Sequence, residues 1–100
     1  MLNQIVLIGR WAAQPKIEYI KDQTAVMTAT IALNRAYNKE KVDFVQVQAW
    51  KKLAENTTQY TEKGSLVCVH GELRVDSWEK EGQKYYKTYV LANKVVFLNK

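Results

Sequence analysis

Three tryptophans, six tyrosines and two phenylalanines share a 100-residue chain with 15 lysines and arginines. Flat rings stack on bases and cations neutralise phosphates, so this inventory points to binding rather than bond-breaking chemistry. The catalytic inventory is thin. Cys68 is the only cysteine and His70 the only histidine. No Cys/His spacing suggests zinc, and no Ser-His-Asp set presents itself. Gly9, Gly64, Gly71 and Gly82 are scattered and form no phosphate loop. Cys68, in Leu66-Val67-Cys68-Val69, reads as a small buried hydrophobe and His70 as structural or solvent-facing. No enzyme, metal site or cofactor is expected.

The rings differ in what their neighbours imply. In Phe44-Val45-Gln46-Val47-Gln48-Ala49-Trp50, period two sends Val45, Val47 and Ala49 one way and Phe44, Gln46, Gln48 and Trp50 the other. The first set suits a core. Two large rings separated by amides on the opposite face need a flat apolar cover. Trp78 opens a charged hairpin, and Tyr37 lies between Arg35 and Lys39, so both read as stacking platforms. Trp11 follows an apolar run and reads as core or subunit contact. Tyr85 and Tyr89 share a face that Tyr86 does not. Cations lie beside the rings: Arg35, Lys39 and Lys41 near Tyr37, Lys51 and Lys52 after Trp50, Arg74 before Trp78, then Lys80, Lys84 and Lys87. Rings interleaved with cations are the sign of single-stranded nucleic acid, because a duplex hides its base faces. Arginine supplies the fork that reads guanine edges, and only Arg10, Arg35 and Arg74 are arginines, which suits sequence-independent binding.

These side chains need a scaffold. Gln4–Trp11 reads as a strand buried on both faces, resuming after a kink at Pro15 through Lys16–Ile20. Lys21-Asp22-Gln23 is a turn. Ala25, Met27, Ala29, Ile31 and Leu33 share the apolar side of a half-buried strand. Arg35–Lys41 is a projecting basic loop. Lys51–Lys63 reads as a short helix stopped by Gly64. Ser65–Val75 is a strand with a bulge or sharp bend at Gly71. Trp78–Tyr85 is a hairpin tip, and Tyr86–Leu98 is a last strand bent near Asn93-Lys94. The order is mainly β, with five strands and one short helix between the third and fourth. That is the order of an OB-fold, a five-stranded Greek-key barrel.

Over nearly its whole length the chain resembles the bacterial and phage single-stranded DNA-binding protein family. The carrying residues are Leu2 to Arg10, Pro15, Tyr19, Ala25 to Arg35, the densest stretch from Asp43-Phe44 through Trp50 to Asn56, Lys63-Gly64-Ser65 and Gly71-Glu72-Leu73-Arg74. The resemblance implies single-stranded DNA wrapped on a homotetramer, with a dimer as the smaller alternative. It sets the four stacking positions on Tyr37, Phe44, Trp50 and Trp78 and family basic contacts on Arg35, Lys52, Lys63 and Arg74. With Arg10 and the lysines near the rings, these are the candidate phosphate contacts. Departures are Gln14 before Pro15, Asp76-Ser77 before Trp78 where basic residues are common, and a short Tyr37–Val42 loop. The chain ends at Asn99-Lys100, where family members usually run on into an acidic tip that recruits replication and repair enzymes. The expectation is one binding domain over residues 1–100, tailless by nature or cut from a longer protein, without tail-mediated recruitment.

Length and charge agree. One hundred residues bury one thin core, and a net charge of +5 favours polyanions. The N-terminus lacks a secretory pattern, and no apolar run is long enough to cross a membrane, so the expected compartment is the cytoplasm, near the nucleoid or in a phage host. Two other readings keep the fold: a tailless primosomal-type factor that assembles replication-restart complexes, and a cold-shock-like RNA-binding module.

Overall fold

Strands build most of the molecule. The computed structural model describes residues 1–98. Its elements are β1 (Ile5–Trp11), β2 (Lys16–Ile20), a 3-10 turn (Lys21–Gln23), β3 (Thr24–Arg35), β4 (Asn38–Trp50), α1 (Lys51–Tyr60), β5 (Leu66–Lys80) and β6 (Gln83–Phe97). β1 pairs antiparallel with both β3 and β5, β6 pairs antiparallel with β5, and β4 pairs with β3 on one side and parallel with β6 on the other. The ring β1-β5-β6-β4-β3 is therefore closed, and β2 continues β1 along β3. Counting β1 and β2 as one kinked strand gives the five strands of an OB-like barrel, with the helix after the third. The kink lies at the buried Pro15, where the register against β3 slips by two residues.

The core is the inward set of each strand. Trp11, Met27, Ile31, Val47, Val67, Val69 and Val90 are almost wholly buried, with Ala49 and Ala54 between them. Helix α1 covers one end of the barrel with Ala54 and Thr57. Trp11, 1% exposed, is core, and its indole Nε1 donates to Thr61 Oγ1 at 3.0 Å. A buried indole needs such a partner, and Thr61 supplies it just past the helix.

Four expectations change. β1 is not buried on both faces: Val6 is 51% and Ile8 60% exposed, because only Ile5 and Leu7 point at the core. The helix ends at Tyr60 rather than Lys63. Thr61 is already extended, and its hydroxyl donates back to the Thr57 carbonyl, so the stop is a threonine and Gly64 serves the following turn. The basic loop is a hairpin end: Arg35 faces Asn38 across the Ala36-Tyr37 turn, and only Lys39, Glu40 and Lys41 fall in the register shift. The expected irregularity at Gly71 is present, with Asn93 as the extra residue opposite the His70–Gly71 step. The charged hairpin tightens to a two-residue turn, Glu81-Gly82, with φ of 53° and 78°, the positive values a two-residue hairpin favours.

Gly71 lies where β5 and β6 press together, and a Cβ there would collide with the Leu91 carbonyl; at Gly82 nothing lies within 4 Å. Gly71→Ala should therefore cost clearly more stability than Gly82→Ala, which should lose about 1 kcal/mol for its positive φ. Urea melts of both variants check this; equal losses would show that the barrel yields freely at Gly71.

Candidate nucleic-acid interface

Closing the barrel decides which rings remain outside. β4 buries Val47 and Ala49, so Phe44 and Trp50 stand outward, 65% and 39% exposed. Their cross-strand partners on β3 are small or short, Ala32 opposite Phe44 and Val26 opposite Trp50. The outer face there is a shallow sheet with two rings rising from it. Between them, Gln46 donates to Thr30 Oγ1 at 3.0 Å and Gln48 accepts from Trp50 Nε1 at 2.9 Å.

This face continues onto the β5–β6 ribbon. Register pairs Glu72 with Leu91, Arg74 with Tyr89, Asp76 with Lys87, Trp78 with Tyr85 and Lys80 with Gln83, so all ten share one side. A groove of about 540 Å³ lies between the end of β4 and the β5–β6 ribbon, lined among others by Gln48, Trp50, Lys51, Glu72, Arg74 and Tyr89. Trp78 stacks on Tyr85 with centroids 5.8 Å apart and planes 19° apart, so one indole face is backed by protein. Lys87 Nζ lies 5.6 Å from the Tyr89 ring centroid. Tyr89 itself is buried, and burial first, then the nearby Asp76 carboxylate, pushes its phenol above the usual tyrosine range.

The structure sorts the candidate cations. Lys51 and Arg74 line the groove, and Lys80 and Lys87 share the Trp78 side of the ribbon. Lys84 does not: it pairs with Glu79 on the reverse side, a consequence of the two-residue turn. Arg35, Tyr37, Lys39 and Lys41 cluster at the exposed end of the β3–β4 hairpin, beyond Phe44. Arg10 faces Ala32, one strand beyond Phe44, but its guanidinium donates to the Gly64 carbonyl at 2.8 Å. Lys63 belongs to that same turn after the helix, and Lys52 lines a shallow cleft with Tyr19 and Glu55 on the β2–α1 side. These three stand apart from the groove.

Two arginines already have carboxylate partners. Arg35 grips Asp43 with two bonds of 3.0 and 3.1 Å, which holds the Asp43 carboxyl below its ordinary range. Arg74 contacts Glu72 at 3.3 Å. Both pairs are half-exposed; the single-contact Arg74–Glu72 pair is the weaker and the more readily displaced by a phosphate, whereas the two-bonded Arg35–Asp43 pair holds more firmly. Sequence reasoning missed Tyr89 as a groove wall and Gln48 as a partner of Trp50. The shared parity of Tyr85, Lys87 and Tyr89 was the available signal; their register against Trp78 and Arg74 was not visible. Among the described residues no group of three or more His, Cys, Asp and Glu side chains could hold a metal ion, and no helix is long and apolar enough to cross a membrane.

A closed OB-like barrel with rings and cations along one outer face defines a nucleic-acid-binding class. Comparison with known proteins narrows it. Residues 2–98 match the single-strand binding protein family, and the chain belongs to that family. It is 40% identical over 97 residues to single-stranded DNA-binding protein 2 of Streptococcus agalactiae serotype III, covering 93% of this chain and 74% of that protein. It is 39% identical over 104 residues to single-stranded DNA-binding protein B of Bacillus subtilis, covering 99% and 92%. Against the Bacillus cereus single-stranded DNA-binding protein identity is 39% over 103 residues, covering 98% of this chain but 61% of the relative. The chain thus spans between about three fifths and nine tenths of these relatives.

Lys51 joins Trp50 to the helix with φ of 58°, a left-handed conformation that costs a lysine about 1–2 kcal/mol. Lys51→Gly should relieve this and raise stability in chemical denaturation by about 0.5–1 kcal/mol, net of glycine's larger unfolded freedom. A loss of stability would mean that the lysine stem packs usefully on the groove.

Proposed function

We propose that the protein binds single-stranded DNA without regard to sequence, protecting and organising it during replication, recombination and repair. It is a binding protein and not an enzyme. The observation that carries the reading is the outward pair Phe44 and Trp50, held on β4 by a core that needs every alternate residue. Bases of any identity stack on such rings, at about 1–3 kcal/mol each. Tyr37 and Trp78 extend the track at its two ends. Lys51, Arg74, Lys80 and Lys87 lie along it as phosphate contacts, with Arg35, Lys39 and Lys41 at the hairpin end. Arg10, Lys52, Lys63 and Lys84 serve a strand that continues around the molecule. Glu72 and Asp76 on the same face trim the affinity of the ribbon. The compartment that fits such a substrate is the cytoplasm.

The exposed β1 face supports assembly with other copies, as a homotetramer or a dimer. Val6 and Ile8 stand opposite His70 and Cys68, whose own partners on β6 are Lys94 and Val96. A mostly apolar sheet face of this kind favours burial against an identical one. Light scattering should give a mass above one chain, and Ile8→Lys should lower it; a monomeric parent protein would remove the assembly from the account.

Phe44→Ala and Trp50→Ala should each weaken oligo-dT binding by roughly 5- to 150-fold while leaving the melting temperature within a few degrees. Lys51→Gln should lower the slope of log affinity against log salt by about 0.7. Fluorescence titration with oligo-dT at several salt concentrations measures both. Unfolding of the alanine variants, or unaltered affinity, would contradict the reading; tighter binding to a matched RNA would redirect it to RNA.

A further inference from the structure

Trp50 is held differently from the other platform rings. Its indole Nε1–H donates to Gln48 Oε1 at 2.9 Å. An indole nitrogen only donates, so this bond fixes the Gln48 amide with its oxygen towards the ring and its nitrogen away from it. Residues two apart on a strand share a face, so the bond runs along the outer surface of β4, within the groove wall. Trp78 is backed instead by the Tyr85 ring, and Phe44 has no polar handle.

The fold does not need this bond. Neither residue belongs to the buried core, and water would satisfy both groups in its absence. What the bond does is choose a rotamer. A half-exposed indole populates several staggered states, and a ligand that needs one of them must bear the ordering cost on binding. We infer that Gln48 is a positioning residue for the single-strand interface: it acts through Trp50, holding the indole ready to take a base before the strand arrives. This rests on the proposed DNA-binding function. It also gives the amides between the two rings different tasks, since Gln46 bonds to β3 and leaves Trp50 untouched.

The test is a double-mutant cycle on the intact chain, using Gln48→Leu, Trp50→Phe and the pair, with oligo-dT as probe at fixed low salt. Gln48→Leu should weaken binding roughly three- to tenfold, with the salt slope unchanged because no phosphate contact is lost. In the Trp50→Phe background, which has no indole donor, the same change should cost less than about twofold. A second readout needs no DNA: the Trp50 indole proton should exchange faster with solvent in Gln48→Leu, and Gln48→Glu, which keeps the acceptor, should restore slow exchange. Equal losses in both backgrounds would show that Gln48 touches DNA itself, and no loss, or unaltered proton exchange, would show that it positions nothing. Either result overturns the inference while the function stands. Failure of the parent chain to bind oligo-dT would overturn both.

Discussion

Period-two alternation on a closed barrel is the constraint on which the rest depends. The core of so small a chain admits only alternate residues of each strand. On β4 that fills the interior with Val47 and Ala49 and sends Phe44, Gln46, Gln48 and Trp50 outwards. A one-residue slip would bury two rings and two amides and expose the valines. Trp11 and the Thr61 hydroxyl, joined across the helix end, pin β1 to the segment leading into β5. The ring-bearing face is therefore a by-product of folding: the packing that stabilises the barrel also displays the rings.

Charge adds reach but little selectivity. The track carries lysines as mobile point charges, while Arg35 and Arg74 are already engaged by Asp43 and Glu72. Those carboxylates hold the guanidinium groups in place on the exposed surface. On the proposed reading, selection for single strands would come from stacking, because a duplex offers no free base face to Trp50 or to the open side of Trp78.

Much of this was legible in the sequence. The parity of residues 44–50, the Pro15 kink, the Gly71 irregularity and the order of strands and helix all follow from local rules. The exposed face of β1 did not: Ile5-Val6-Leu7-Ile8 is apolar throughout, and an alternating burden is invisible where every residue is greasy. The helix end was misplaced because a glycine outweighed Thr61, whose side chain ends the helix three residues earlier. The outward placement of the candidate rings was legible where it is local, at Phe44 and Trp50. It was not where it depends on register between distant strands, which brings Tyr89 and Arg74 beside Trp50 and puts Lys84 on the far side of the ribbon from Trp78.

The central claim is that two of the three tryptophans face the strand and one holds the barrel. Indole nitrogen–proton NMR resolves one signal for each tryptophan, assignable by single Trp→Phe substitutions. On addition of oligo-dT, the Trp50 and Trp78 signals should shift strongly and the Trp11 signal, buried and bonded to Thr61, should stay in place. A shift confined to Trp11, or none at all while DNA binds, would contradict the account.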